Sequence, residues 1–261
     1  MRRFSAEYLR RTREGMWEDD RSALAPLALA DRERVVDVGC GTGELSGVLD
    51  EESPGRVLGV DRDPALLAEA PVDTAVGDAL SLPLRTDGAD LVVCQALLVN
   101  LPEPARALAE FARVSSGLVA AVEPDNAAAS VESTVPEEPR LAATLRERYV
   151  AGSSTDLTLG AVPELFEEAG LAAVETRRYE FDRTVAPPYS AEELAAARRR
   201  ATGSRIEADR RELLAGGFSE AEYERFRSEW RAMGRAVAEG MAEGSYRRTE
   251  TIPFHVTVGR V

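Results

Sequence analysis

With 261 residues and 44% apolar side chains, the chain can bury the core of one α/β domain with a subdomain. A formal charge of -14 argues against the basic patches on which phosphate backbones dock, so no nucleic-acid partner is expected. Met1-Arg2-Arg3 opens an amphipathic, charged segment with no membrane-length apolar run after it, so neither a leader nor a membrane partner is expected.

All 32 basic residues are arginine, which fits a salt-adapted host with a hydrated carboxylate surface and equally a high-GC genome. The two cysteines, Cys40 and Cys94, read as free thiols of a reducing cytoplasm, the expected location. There is no metal-ligand spacing of Cys and His, so no metal site is expected.

From the N-terminus, Phe4, Tyr8, Leu9 and Met16 recur at helical spacing over 4–17, and 22–30 reads as a second helix. The organising stretch comes next. Val35-Val36-Asp37-Val38 is an apolar run that breaks into Gly39-Cys40-Gly41-Thr42-Gly43-Glu44; a second run, Val57 to Val60, stops on Asp61. The pattern is strand, glycine turn, helix, strand, acid, the opening of a nucleotide-binding βαβ unit. A turn from a strand end into a helix needs positive φ and leaves main-chain atoms open to a ligand. A dinucleotide fingerprint would need glycine at 44, where Glu44 stands, and an anionic pyrophosphate would be repelled there.

Glycines at 39, 41 and 43 with an acid at the end of the next strand resemble the first two motifs of the class I S-adenosylmethionine-dependent methyltransferases. The cationic sulfonium of that donor suits Glu44. The resemblance implies that main-chain groups of Gly39, Cys40, Gly41 and Gly43 line the methionine moiety. Asp37 would hold the turn or meet the donor's ammonium, Asp61 would accept both ribose hydroxyls, and Arg62 would cover one adenine face. In resembling enzymes N-terminal helices close over the methionine half, which makes Tyr8, Arg10, Arg13, Met16 and Trp17 candidates, with Arg13 for the donor's carboxylate and Trp17 for the acceptor. A surface helix with solvated arginines is the other reading.

Residues 65–70 read as a helix, 74–76 as a strand, and Gly77-Asp78-Ala79 resembles the third motif, Asp78 and Ala79 reading the adenine. Residues 89–94 form a fourth strand, whose carboxyl end places Gln95 where ligands of open α/β sheets bind. Asn100 stands where the family often has an aromatic or histidine, and remains a substrate candidate. A helix over 103–114 and a strand over 117–122 lead to Glu123-Pro124-Asp125-Asn126. There Glu123 and Asn126 are candidates to orient a substrate, or Asp125 caps the next segment of chain.

Helices over 139–150 and 162–169 precede a strand over 171–185, and 251–258 supplies the last strand. The expected fold is thus a doubly wound, seven-stranded, mostly parallel Rossmann-like sheet with an antiparallel last strand. Its expected parts are an N-terminal helical cap (1–30), the main domain (31–186 and 248–261) and a helical insertion (187–247). Within the insertion, 191–216 and 219–240 read as helices, Tyr223, Phe226, Trp230 and Met233 forming a stripe more often core than substrate box. The insertion serves as a lid, a homodimer surface or a solvated appendage.

In-line transfer needs alignment and desolvation, worth about 7 to 11 kcal/mol, before any acid or base, so no catalytic residue is assigned and His255 is read as structural. The function read here is methyl transfer to a small molecule. A non-catalytic donor-binding partner or sensor shares every cofactor residue, and a nicotinamide-dependent oxidoreductase is disfavoured by Glu44.

Overall fold

The computed structural model describes residues 5–13, 15–18, 20–159 and 162–261. Phe4, first in the predicted N-terminal helix, lies outside them. The chain divides into two compact units. The first comprises Met1–Pro124, Leu159–Tyr179 and Phe254–Val261; the second comprises Asp125–Thr158 and Glu180–Pro253.

In the first unit α1 (Ala6–Arg13) is followed by 3-10 turns at Ser22–Leu27 and Leu29–Asp31, where the sequence predicted an α-helix. Pro26 lies inside the first turn, and Ala28 takes φ 49°, which breaks the second away. Then come β1 (Arg34–Val38), α2 (Glu44–Glu52), β2 (Arg56–Asp61), α3 (Pro64–Leu67), β3 (Asp73–Val76), β4 (Ala89–Gln95), α4 (Pro104–Val114) and β5 (Ser115–Pro124). These strands lie in the order β3-β2-β1-β4-β5, all parallel, with Val36 opposite Leu58 on one side and Val92 on the other. Central strands hydrogen-bonded on both edges and covered on both faces read as unbroken apolar runs, and Leu91 to Cys94 are fully buried. One face packs on Leu108, Phe111 and Val114 of α4 with Phe166 of the later helix.

The second unit begins with β6 (Ser130–Ser133) and α5 (Glu138–Ala151); α6 (Pro163–Glu168) returns the chain to the first unit. Next come β7 (Ala172–Val185), α7 (Ala191–Thr202), α8 (Ser204–Ala208), α9 (Arg210–Ala215), α10 (Glu220–Ala242) and β8 (Arg248–Arg260). Residues 254–260 of β8 pair antiparallel with β5, and residues 248–251 pair antiparallel with β6. β7 also pairs with β8; hydrogen bonds Thr176–Thr257 and Thr184–Thr249 run in opposite chain directions, so that ladder is antiparallel.

Three expectations need correction. The sheet has eight strands rather than seven, because β8 extends past β5 and leaves residues 248–251 free to pair the short β6. The predicted helix over 191–216 breaks into three, since Gly203 ends α7 in the left-handed region (φ 79°) and Asp209 interrupts again. The boundaries also move: the second unit takes 125–158 together with 180–253, rather than 187–247 alone. Its core explains why, since Val135 and Leu141 are buried in one cluster with Ala197, Ile206, Tyr223, Trp230 and Tyr246.

Candidate active site

β1 and β2 deliver the glycine turn and Asp61 side by side. Gly39, Gly41 and Gly43 take φ of 72°, 59° and 83°, the left-handed region that side chains avoid. Gly39 N and Cys40 N both donate to Val60 O at 2.7 and 3.2 Å, which staples the turn to the end of β2. Gly41 N donates to Asp61 Oδ2 at 3.0 Å, and Asp63 N to Asp61 Oδ1 at 2.9 Å. Each carboxylate oxygen therefore keeps one lone pair for a further donor. Gly77 N bonds Asp61 O at 3.0 Å, so the third predicted motif meets the same point. There Asp78 is exposed, its Oδ1 holding Leu80 N at 2.9 Å, while Ala79 is buried. Arg62, exposed, follows Asp61 directly.

Behind the turn Asp37 is buried, accepting from Ser46 Oγ of α2 at 2.6 Å. Burial pushes its carboxyl up to about 6; Ser46 and Arg13 oppose the rise, and Asp61 and Glu44 add to it. Its Oδ1 has no hydrogen-bond partner among the described residues. Cys40 is buried too, and burial followed by the charges of Asp37 and Asp61 keeps its thiol protonated.

The opposite wall comes from α1 and the carboxyl end of β4. Arg13 donates through Nη2 to Gln95 O at 3.2 Å, and its Nη1 lies 3.6 Å from Glu44 Oε2. Gln95 is buried, its Nε2 2.9 Å from Met16 Sδ and its Oε1 unpartnered among the described residues. Trp17 stacks on Tyr179, ring centroids 5.6 Å apart, and Tyr179 Oη donates to Met16 O at 2.9 Å. The Trp17 indole N–H likewise lacks a partner among the described residues. Tyr8 is exposed, and Arg10 pairs with Glu69 away from this wall.

Two substrate candidates have other duties. Glu123 is fully buried, and its carboxylate does not face an acceptor. Oε1 accepts from Leu97 N and Leu98 N at 2.9 Å each, and Oε2 from Val99 N at 3.2 Å. Burial pushes it up to about 7 despite those three donors. Asn100 spends its amide on Ala96 O at 2.9 Å, closing the same turn. The turn starts from Ala96 at φ 49° and carries Leu97 over the glycine loop: a Cβ on Gly39 would lie 2.8 Å from Leu97 Cδ1, and one on Gly41 2.7 Å from Leu9 Cδ1. The bare glycines thus make room for the chain's own leucines as well as for a ligand. Asn126 belongs to the second unit, where Nδ2 donates to Leu157 O at 3.0 Å. Sequence reasoning missed Leu9, Leu97, Ser46 and Tyr179, whose parts depend on long-range packing that no spacing records.

A parallel sheet ordered β3-β2-β1-β4-β5 with an antiparallel strand beside β5, and a glycine turn bonded to the acid ending β2, define a Rossmann-like fold of the methyltransferase kind. A family described as a methyltransferase domain matches residues 36–119. The demethylmenaquinone methyltransferase of Lactiplantibacillus plantarum is 30% identical over 46% of this chain and 53% of its own. The trans-aconitate 2-methyltransferase of Methylobacterium nodulans is 37% identical over 40% of this chain and 43% of its own. The chain thus spans about half or less of the length of these curated relatives. In fold it is similar to a crystal structure from Bacillus halodurans described as a putative methyltransferase, with a TM-score of 0.51 at 15% identity, covering 92% of this chain and 99% of that one. Through the domain over 36–119 the chain belongs to the class I S-adenosylmethionine-dependent methyltransferases. S-adenosylmethionine is the cofactor of that family. The residues present fit it: buried Asp37 Oδ1 and Gln95 Oε1 are unpartnered acceptors suited to an ammonium, and Asp61 keeps acceptor capacity for hydroxyls.

Proposed function

We propose that the chain transfers a methyl group from S-adenosylmethionine to a small-molecule acceptor. The observation that carries this reading is the Asp61 carboxylate, fixed by Gly41 N and Asp63 N with a lone pair spare on each oxygen. Asp61 would hold the ribose, Asp78 and Ala79 the adenine edge, and Arg62 one adenine face. Asp37 and Gln95 would take the ammonium, Arg13 the carboxylate, and the main chain of Gly39 to Gly43 the methionine backbone. The bound sulfonium supplies an electrophilic methyl; the protein's share is alignment and exclusion of water. Met16, Trp17 and Tyr179, packed together beside Gln95, supply an apolar wall suited to that exclusion. The names of the relatives, demethylmenaquinone and trans-aconitate 2-methyltransferase, support an acceptor of small-molecule size.

The test is calorimetry with S-adenosylmethionine. Asp61→Ala is expected to lose measurable binding while keeping the fold by circular dichroism; affinity unchanged from the wild type sinks the assignment.

A further inference from the structure

The second unit concentrates arginine where two carboxylates cannot neutralise it. Glu138, at the start of α5, is buried; Tyr246 Oη and Ser133 Oγ donate to its Oε2 at 2.9 and 2.7 Å. Its Oε1 lies 3.3 Å from Arg200 Nη1 and 3.1 Å from Arg248 Nε. Arg248 Nη2 is 3.3 Å from Glu250 Oε1, and Arg183 shares that carboxylate at 3.7 Å. Arg146, about two turns along α5 from Glu138, has no carboxylate within ion-pair distance among the described residues, yet it is half-buried and feels both Glu250 and Arg248. Burial lowers its pKa below the ordinary range, Glu250 opposes that, and Arg248 adds to it. The guanidinium stays charged at neutral pH all the same.

Setting Arg183 aside, three guanidinium groups converge on two carboxylates, in a chain whose net charge is -14. Charge withdrawn from water is costly without a counter-ion, and this acidic chain spends no third carboxylate here. We propose that Arg146, with Arg183 and Arg248 beside it, forms a binding site for a small organic anion carrying a carboxylate or phosphate group. Guanidinium forks match the paired oxygens of either group. The inference stands whether or not the chain transfers methyl groups.

Calorimetry on the intact chain tests it, with succinate, citrate and inorganic phosphate as probes at matched ionic strength. Saturable binding of at least one probe is expected, weakened about tenfold by Arg146→Gln. Arg146→Lys, which keeps the charge without the fork, should fall between. Arg140→Gln, removing an exposed arginine of the same helix that pairs with Glu229, should leave binding unchanged. Tighter binding of the carboxylates than of phosphate, or the reverse, identifies which oxyanion the site takes, and either order supports it. Because Arg146→Gln relieves like-charge repulsion, the ligand-free variant should melt no lower than the wild type. No saturable binding by the wild type, binding undiminished in both Arg146 variants, or a melting temperature lowered by Arg146→Gln overturns the proposal.

Discussion

Glu123 joins two strands' ends to the floor of the site through one carboxylate. Its oxygens terminate β5, hold the amides of Leu97, Leu98 and Val99, and so fix the leucine that lies over Gly39. Glu123→Gln replaces an acceptor oxygen by a donor facing those amides, and unsatisfied buried donors cost about 1–3 kcal/mol. Its folded pKa of about 7 lies above its unfolded value of about 4.3, so the native state holds the proton more tightly. That stability is present below the unfolded pKa and is lost as pH rises through the folded one. Urea midpoints should therefore fall for the wild type between about pH 5 and about pH 8, and fall less for Glu123→Gln; equal slopes in the two proteins would count against the titration. Asp61 and Gly41 were legible in advance, because a strand, a glycine turn and a second strand fix where an acid must end. Glu123 was not. From the sequence it is an acid at a strand terminus, and only the left-handed Ala96 bends three amides back onto it.

Among elements, α10 was read from its stripe, and Tyr223, Phe226, Trp230 and Met233 are all buried as core. Ser219 and Glu222 form its capping box, as Ser190 and Glu193 do for α7. What the stripe could not tell is how closely α7 approaches. A Cβ on Gly234 of α10 would lie 2.4 Å from both Ala201 N and Arg200 C, so the two helices touch backbone to backbone. Gly234→Ala, which would stabilise an isolated helix by propensity, is instead expected to destabilise the protein by about 1–3 kcal/mol, read as a lower urea midpoint. A midpoint equal to or above the wild type would refute that packing. Periodicity likewise hid β6: four residues, Ser-Val-Glu-Ser, carry too little pattern, and their pairing is dictated by the overhang of β8.

For the molecule as a whole, the charge is the property most exposed to solution conditions. The surplus of 46 acids over 32 arginines repels itself, and local pairs such as Arg21 with Glu51 and Glu52 offset only part of that. Shortening the Debye length from about 10 Å at 0.1 M salt to about 3 Å at 1 M should raise the melting temperature. Scanning fluorimetry in sodium chloride checks this, and a falling temperature would show that ion pairs outweigh the repulsion. Among the described residues no helix is long and apolar enough to cross a membrane. The layout of the chain was the least legible feature. Each unit is assembled from separated segments, and β7 and β8 each contribute residues to both.

The thiol of Cys40 gives the glycine turn a built-in chemical reporter. It is 2% exposed and kept from ionising by burial and by two neighbouring acids, so an alkylating reagent, which reacts with thiolate, must wait for a transient opening. The rate at which iodoacetamide marks this one sulfur, followed by mass spectrometry, then clocks how often the loop breathes. Added S-adenosylmethionine should slow that clock, whatever the identity of the acceptor.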